Sequence, residues 1–214
     1  MSVDPDAPLS TSGWASPLTA RLYDRQLAFE RSALGVAVDL AAPGPDELVL
    51  DLATGTGALL RRLAQRADRP RRAIGIDASG AMLRRARPLP DGWRLINGDA
   101  RRLPIDDGSV DVVTCAYLLH LLDPAARRAV LGEITRVLTP RGRVVVVTLG
   151  IPDGLVGRSL LAPMQRALCR GLSAGSGWCA LDPEPELAAA GLAPRRRRVC
   201  TRGYTSLCVL AEPV

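Results

Sequence analysis

Val49 to Leu60 reads V-L-D-L-A-T-G-T-G-A-L-L, and the predicted fold is organised around this stretch. The apolar run that begins at Leu48 predicts a central parallel strand with both faces covered, in which Asp51 is the one charge. Gly55 and Gly57 permit backbone conformations and a close ligand approach that a side chain would block. The amides that open the following helix would then face a ligand. The stretch therefore predicts a nucleotide-type binding turn between a strand and a helix.

Several kinds of nucleotide site use such a turn, and residue types separate them. A phosphate-binding P-loop needs a lysine after its glycines, whereas this chain has no lysine and all 28 of its basic residues are arginine. A dinucleotide fingerprint, G-x-G-x-x-G, has Leu60 where its third glycine belongs, and Asp51 would place a carboxylate near the pyrophosphate. Like charges at short range are unfavourable, so the turn favours a ligand with cationic groups. Dinucleotide binding and a purely structural tight turn stay open at this point.

The residues D-L-A-T-G-T-G, 51–57, resemble motif I of the class I S-adenosylmethionine-dependent methyltransferases, and in particular the branch of ubiquinone and menaquinone biosynthesis C-methyltransferases. S-adenosylmethionine carries an ammonium and a sulfonium, so the resemblance implies that Asp51 faces a cationic cofactor. Ala53 departs from the commoner pattern, which has glycine at this position. The resemblance implies that the following residues of the turn bind the cofactor: Ala53, Thr54, Gly55 and Gly57.

A second acidic residue ends the next predicted strand, which runs from Ala73 to Asp77. Asp77 falls about 20 residues beyond the glycines, where a carboxylate can accept both hydroxyls of a ribose. NAD and S-adenosylmethionine share this feature, and Asp77 could instead cap the helix that starts near Ser79. Ala78 and Met82 are then close enough to border the adenine, although Met82 could also face the sheet.

Two later stretches extend the resemblance. Gly98-Asp99-Ala100 followed by Leu103-Pro104 matches the family's G-D-A and L-P motif. This match implies that Asp99 accepts the adenine amino group and that the Ala100 amide faces a ring nitrogen, although an aspartate beside a glycine is also ordinary turn chemistry. Cys115 and Ala116 end the fourth predicted strand, at the sheet edge where ligands of such folds bind.

His120 is the one histidine of the chain, and it lies in a leucine-rich stretch that matches the relatives' L-x-H pattern. Its unperturbed pKa suits a general base near neutral pH, so it is the candidate catalytic residue. Lining of the acceptor pocket and simple packing are the alternatives for this side chain. No catalytic nucleophile is needed, because the cofactor supplies an activated methyl group and a neutral leaving group.

The resemblance runs continuously from Leu48 to about Leu149 and implies one α/β domain. The predicted fold class of this domain is a doubly wound, Rossmann-like, mostly parallel seven-stranded sheet with a C-terminal antiparallel pair and helices on both faces. We predict a mobile segment at 1–17 and a single methyltransferase domain at 18–214.

Residues 18–41 and 151–182 are predicted to form a lid over the acceptor pocket. Within the first range, Tyr23 is expected either to close over the cofactor or to anchor the helix by packing. The run Arg195 to Arg198 predicts a solvated edge strand, because alternate residues can face water and charge protects an edge, with binding of an acidic partner as the alternative.

Composition limits the partners that we expect. The net charge of +6 and the pI near 9.6 come from basic residues spread along the whole chain, so nucleic acid is not the expected partner. The five cysteines form no C-x-x-C pair and there is one histidine, so no metal site is predicted. We find no signal-peptide pattern, and the longest apolar stretch, Val110 to Leu122, is too short to span a bilayer. A cytoplasmic location is expected, and a homodimer is left open.

From these features we expect an S-adenosylmethionine-dependent methyltransferase that moves a methyl group by an SN2 reaction to a small-molecule acceptor, such as a quinol, a phenol or a polyketide-like compound. One alternative is a methyltransferase-like scaffold that binds the cofactor without methyl transfer. The other is an NAD-linked oxidoreductase on a related sheet.

Overall fold

A computed structural model describes residues 17–150, 180–203 and 205–214, with side chains described from Phe29 onward. Residues 1–16 of the predicted mobile segment and residues 151–179 of the second lid range therefore lie outside the described residues, whereas Pro17 begins the first helix. The helices are α1 (Pro17–Ala41), α2 (Ala58–Ala64), α3 (Gly80–Ala86), a 3₁₀ turn (Leu119–Leu121), α4 (Pro124–Val137) and α5 (Glu184–Ala189). The strands are β1 (Leu48–Leu52), β2 (Arg72–Asp77), β3 (Arg94–Asn97), β4 (Val110–Ala116), β5 (Leu138–Leu149), β6 (Leu192–Cys200) and β7 (Ser206–Pro213).

The seven strands form one sheet in the order β3-β2-β1-β4-β5-β7-β6. The first five strands of this order pair in parallel, whereas β7 is antiparallel to both β5 and β6. The chain moves outward from β1 to β3 and then returns to place β4 on the other side of β1. This change of direction makes a crevice at the carboxyl ends of β1 and β4, where ligands of open α/β sheets bind. The predicted fold class is confirmed.

Helices cover both faces of the sheet because successive residues of each buried strand point to opposite sides. Leu50 of β1 packs in one buried cluster with Ile134 of α4. Its neighbour Val49 packs in the other cluster with Leu60 of α2 and with residues of α1. The near-continuous apolar run of β1 thus reflects a strand that is covered on both sides, as the sequence predicted.

The boundaries of some elements differ from the sequence prediction. The apolar positions from Leu18 to Leu40 predict one helix or two broken helices, and the structure has one helix there. The run of valines predicts a fifth strand from Arg143 to Leu149, but β5 begins at Leu138, because Leu138 already pairs with Val110. The register then shifts before Arg143 pairs with Val112, and this irregularity hid the start of the strand.

The arginine run Arg195 to Arg198 lies on β6, which is the edge strand, and its residues are exposed. Arg195 pairs with Glu212 at 3.0 Å, and Arg197 lies 3.1 Å from a carboxylate oxygen of Asp182. The prediction of a solvated, charged edge strand is confirmed. Among the described helices, none combines the length and the apolar character that crossing a membrane requires.

Candidate active site

The glycine turn after β1 is built from residues with left-handed backbone conformations. Gly55 has φ 57° and Gly57 has φ 78°, and Ala53 also has a positive φ of 54°. A Cβ added to Gly57 would lie 2.9 Å from the Cβ of Ala86 in α3, so this position has no room for a side chain. The positive φ of Ala53 gives a physical reason why glycine is commoner there, since only glycine adopts this region without strain.

Asp51 is enclosed beneath this turn and is 2% exposed. One carboxylate oxygen accepts a hydrogen bond from the Thr54 hydroxyl at 2.6 Å, and the other accepts one from the Thr114 hydroxyl of β4 at 2.7 Å. Burial raises the pKa of Asp51 to about 6; the two hydroxyls oppose this rise, and the charge of Asp77 adds to it. At neutral pH the group is mainly ionised, so the crevice holds a negative charge that is costly to bury without a cation.

Asp77 ends β2 and joins two parts of the crevice. Its Oδ2 accepts a hydrogen bond from the Gly55 amide at 2.8 Å, and its Oδ1 accepts one from the Ser79 amide at 2.7 Å. Ser79 is the residue that caps α3, since its hydroxyl accepts from the Met82 amide. Burial raises the pKa of Asp77, and the two amide hydrogen bonds oppose this effect. The carboxylate thus lies between the glycine turn and the start of α3, with lone pairs left for a ligand.

Asp99 follows β3 and forms a close pair with Arg101. The Arg101 Nη2 lies 2.6 Å from Oδ2, and the Arg101 amide donates to Oδ1 at 2.8 Å. Partial burial would raise the pKa of Asp99, but the hydrogen bonds from the Arg101 side chain and amide outweigh this effect and lower the pKa. Asp99 is therefore a firmly ionised carboxylate whose orientation is set by a neighbouring guanidinium.

The other predicted cofactor-binding residues lie around these acids. Ala78 is exposed beside Asp77, while Met82 is buried in α3. Ala100 is buried directly after Asp99. At the end of β4 the Cys115 side chain is fully buried in the core, so this residue can offer only its backbone to a ligand, and Ala116 is half-buried. Burial raises the pKa of the Cys115 thiol to about 12, so the thiol stays protonated at neutral pH.

His120 lies in the 3₁₀ turn after β4 and is buried, and no described residue makes a hydrogen bond with its Nδ1. Burial lowers the pKa of His120 to about 4, so the imidazole is neutral at neutral pH. Its ring stands edge-on to Tyr117, with the ring centroids 6.0 Å apart. Tyr117 has a strained φ of 58°, and its hydroxyl is 2.8 Å from the Ser206 hydroxyl.

Three contributors to the site were not assigned a role from sequence. Thr114 holds Asp51 although the two residues are 63 positions apart, so no local pattern could reveal the contact. Arg101 stands two residues after Asp99, and this short spacing is a signal that could have been used. The strain at Tyr117 is visible only in the backbone angles. The side chain of Tyr23 lies outside the described residues, so its predicted role stays a prediction.

The sequence comparisons agree with this geometry. Residues 49–142 match the family described as a methyltransferase domain. The demethylmenaquinone methyltransferase of Beutenbergia cavernae is 33% identical to this chain, over 70% of this chain and 65% of the relative. That of Thermus thermophilus is 38% identical, over 62% of this chain and 61% of the relative. The chain thus spans less than two thirds of the length of these relatives.

Solved structures share the fold. The putative methyltransferase of Haloferax volcanii in complex with the Trm112 methyltransferase activator superposes with a TM-score of 0.75 and 19% identity, over 97% of each chain. The 1,6-didemethyltoxoflavin-N1-methyltransferase of Burkholderia thailandensis, solved with S-adenosylhomocysteine, gives 0.65 at 16% identity, over 100% of this chain and 93% of that one. The [4+2]-cyclase SpnF gives 0.66 at 17% identity, over 85% and 80%.

The sheet, the glycine turn and the acids at the strand ends agree with this family match. Residues 49–142 form a methyltransferase domain, and the predicted likeness to the class I S-adenosylmethionine-dependent methyltransferases is confirmed. Its relatives include enzymes of the quinone-biosynthesis type, so the predicted branch is confirmed as well. S-adenosylmethionine is the cofactor of this family, which confirms the predicted cofactor at the level of the family.

Proposed function

We propose that this chain transfers a methyl group from S-adenosylmethionine to a small-molecule acceptor. The observation that carries this proposal is the placement of three carboxylates at the carboxyl ends of neighbouring parallel strands: Asp51 and Asp77 bond to the glycine turn, and Asp99 follows β3. A cofactor with an ammonium, a ribose and an adenine offers each carboxylate a cation or a hydrogen-bond donor.

The three carboxylates would hold three different parts of the cofactor. Asp51 is mainly ionised above its pKa of about 6 and suits the ammonium, because a buried carboxylate gains most from an opposite charge. Asp77 would accept the two ribose hydroxyls while its bonds to the Gly55 and Ser79 amides keep it in place. Asp99, oriented by Arg101, would accept the adenine amino group.

S-adenosylmethionine supplies the activated methyl group and a neutral leaving group when it is bound. The residues of this chain then have to align the acceptor with the donor and keep water out, which accounts for a large part of the acceleration in such reactions. No side chain of the site needs to act as a nucleophile.

An NAD-linked oxidoreductase is disfavoured by Asp51. A pyrophosphate at the turn would lie close to this carboxylate, whose burial strengthens the repulsion between like charges. Titration calorimetry with S-adenosylmethionine, S-adenosylhomocysteine and NAD tests this choice. We expect the first two to bind and NAD to bind at least about tenfold more weakly. Preferential binding of NAD would refute the cofactor assignment.

A cofactor-binding scaffold without methyl transfer is the remaining alternative, since one fold can host several reactions, and the similarity in fold to the cyclase SpnF illustrates this point. Incubation with S-adenosylmethionine carrying a labelled methyl group and a panel of quinol, phenol and amine acceptors tests it. Labelled product from any acceptor supports methyl transfer. Tight cofactor binding without any labelled product favours the scaffold.

A quinol or another aromatic compound is the acceptor that we propose to test first. The relatives named demethylmenaquinone methyltransferase motivate this order, because their substrate is a quinone-type molecule. The predicted lid at 18–41 and 151–182 would contribute to acceptor choice. It stays a prediction, because residues 151–179 lie outside the described residues.

For His120 we propose a place in the lining of the acceptor pocket. With its pKa lowered to about 4 the neutral imidazole is too weak a base to ionise a phenol at neutral pH, but it can exchange hydrogen bonds with an acceptor. Replacement of His120 by Ala should therefore lower the rate with an identified acceptor by less than about tenfold. The rate should also show no step between about pH 6 and pH 8 that depends on His120. A larger loss, together with such a step, would restore the role of general base.

A further inference from the structure

An open recess of about 770 Å³ lies behind the glycine turn, between α1, α2 and α3. Its lining is strongly basic, and none of the described residues that line it is acidic. The polar residues that line it are Arg31, Arg61, Arg62, Arg85, Gln65 and Thr56.

The four arginines of this recess come from three different helices, and their charges add up in one place. Arg31 and Arg62 make no ion pair with any carboxylate among the described residues. Arg61 donates a hydrogen bond to the carbonyl oxygen of Thr56, which fixes this guanidinium at the back of the turn. An anion would offset the repulsion between the guanidinium groups of Arg31 and Arg62.

A second observation points to a ligand in the same place. Thr56 stands between the two glycines of the turn and is 1% exposed. Its hydroxyl has no hydrogen-bond partner among the described residues. Buried hydroxyl groups are nearly always paired, so an unpaired one on a residue that lines a basic recess fits a site that is completed by a hydrogen-bond acceptor.

We propose that this recess binds a small anion with two or more phosphate groups, such as pyrophosphate or a nucleoside diphosphate. The planar guanidinium fork matches the oxygen geometry of phosphate and can bind it through two parallel hydrogen bonds. The volume of the recess, about 770 Å³, lies within the range of small-ligand sites and exceeds the need of a single phosphate. Nucleic acid fits less well, because single strands bind along a basic groove with aromatic side chains for base stacking, and no aromatic residue is among the described lining of the recess.

The recess is separate from the cofactor crevice. Asp51, Asp77 and Asp99 do not line it, and of the turn residues predicted to bind the cofactor none is among its polar lining. Occupation of the recess therefore does not depend on the proposed methyl transfer, and the two proposals can fail independently.

Titration calorimetry of the full chain with pyrophosphate, ADP and inorganic phosphate tests the proposal. One variant combines Arg31→Gln with Arg62→Gln. Its matched control combines Arg84→Gln with Arg128→Gln, which removes the same charge from exposed positions outside the recess. We expect pyrophosphate and ADP to bind the unmodified chain more tightly than phosphate. The recess variant should weaken that binding at least about tenfold, whereas the control should change it less than about threefold.

A competition experiment separates the recess from the crevice. Saturation with S-adenosylhomocysteine should leave pyrophosphate binding within about threefold of its value without it. Loss of pyrophosphate binding under this condition would assign the anion to the crevice and overturn the proposal. Equal weakening of pyrophosphate binding in the recess variant and in the control would show that only the net charge of the chain matters. This result would also overturn the proposal. A short single-stranded oligonucleotide is the last ligand to test. If it binds more tightly than pyrophosphate and loses affinity equally in the recess variant, the ligand of the recess is nucleic acid, and the proposal of a small anion is overturned.

Discussion

The two sides of the glycine turn carry opposite charge. The crevice on one side contains Asp51, Asp77 and Asp99, whereas the recess on the other side is lined by four arginines. The acids have short side chains at strand ends, where threonine hydroxyls, backbone amides and a guanidinium hold them. The arginines extend from the outer surfaces of helices, and most of them are exposed. The crevice is therefore organised before a ligand arrives, whereas the exposed arginines of the recess would be ordered mainly by the proposed anion.

This difference has a physical origin. A carboxylate that is buried must be hydrogen-bonded, so the fold has to supply its donors in advance. An exposed guanidinium is solvated and needs no such support. The crevice should consequently respond sharply to single substitutions, and the recess should respond to salt and to changes in total charge.

The largest effect is expected for Asp77→Ala, which acts on the crevice alone. Loss of the carboxylate removes two charge-assisted hydrogen bonds to the ribose, so affinity for S-adenosylhomocysteine should fall about 100-fold or more. Pyrophosphate binding should stay unchanged. Titration calorimetry measures both affinities.

Two further variants serve as controls for this change. Asp77→Asn keeps one oxygen acceptor and should fall between the unmodified chain and the alanine variant. Asp91→Ala changes an exposed acid and should have no effect on either ligand. Unchanged affinity of Asp77→Ala for S-adenosylhomocysteine would contradict the ribose assignment.

Gly57→Ala is expected to damage both sides, because the turn is their common wall. The new alanine would have to adopt a positive φ, and its Cβ would lie 2.9 Å from the Cβ of Ala86. We expect the free energy of unfolding to fall by about 2 to 3 kcal/mol, measured by urea denaturation. Gly108→Ala is the matched control, since Gly108 also has a positive φ but has no atom within 4 Å of the added Cβ. An equal loss in the two variants would show that backbone strain, and not packing against α3, limits the turn.

Asp51→Asn is expected to raise the stability of the fold while it weakens binding of the cofactor. The folded pKa of about 6 lies above the unfolded value, so the folded state holds the proton more tightly and the contribution of Asp51 to stability falls as the pH rises from about 4 to 6. The variant does not titrate, so above pH 6 it should be about 2 kcal/mol more stable than the unmodified chain, with a smaller difference near about pH 4. Denaturation at both pH values checks this.

The same variant should bind S-adenosylmethionine more weakly, because it lacks the charge for the ammonium. Thr114→Val is the companion variant, since it removes one of the hydroxyl donors and leaves the charge of Asp51 in place. Equal pH dependence of stability in Asp51→Asn and in the unmodified chain would show that Asp51 is not the titrating group.

The smallest effect is expected for Ala53→Gly. Ala53 has a positive φ of 54°, so glycine should relieve strain and raise the free energy of unfolding by about 0.5 to 1 kcal/mol. Ala64→Gly, within α2, should instead lower it by about 1 kcal/mol. A loss of stability at both positions would mean that the Ala53 methyl group contributes packing that outweighs the strain.

Much of the crevice could be predicted because its residues are marked by local patterns. Asp51 and Asp77 each stand at the end of a short apolar run, and parallel strands bring such ends to one edge of a sheet. Asp99 follows β3 in the same way. The boundary of β5 was missed because a register shift breaks its pairing with β4, and a bulge of this kind leaves no periodic signal.

The sequence alone predicts the strand ends, the glycine turn and the acids of the crevice, because each depends on neighbours within a few residues. The remaining features of the two sites depend on tertiary packing. The Thr114 hydroxyl donates a hydrogen bond to Asp51 although the two residues are 63 positions apart. Arg31, Arg62 and Arg85 line one recess only because three helices cover the same face of the sheet. Along the sequence these arginines looked like scattered surface charge. Their concentration, and the pKa that burial imposes on Asp51 and His120, arise from proximity and loss of solvent, which exist only in the folded chain.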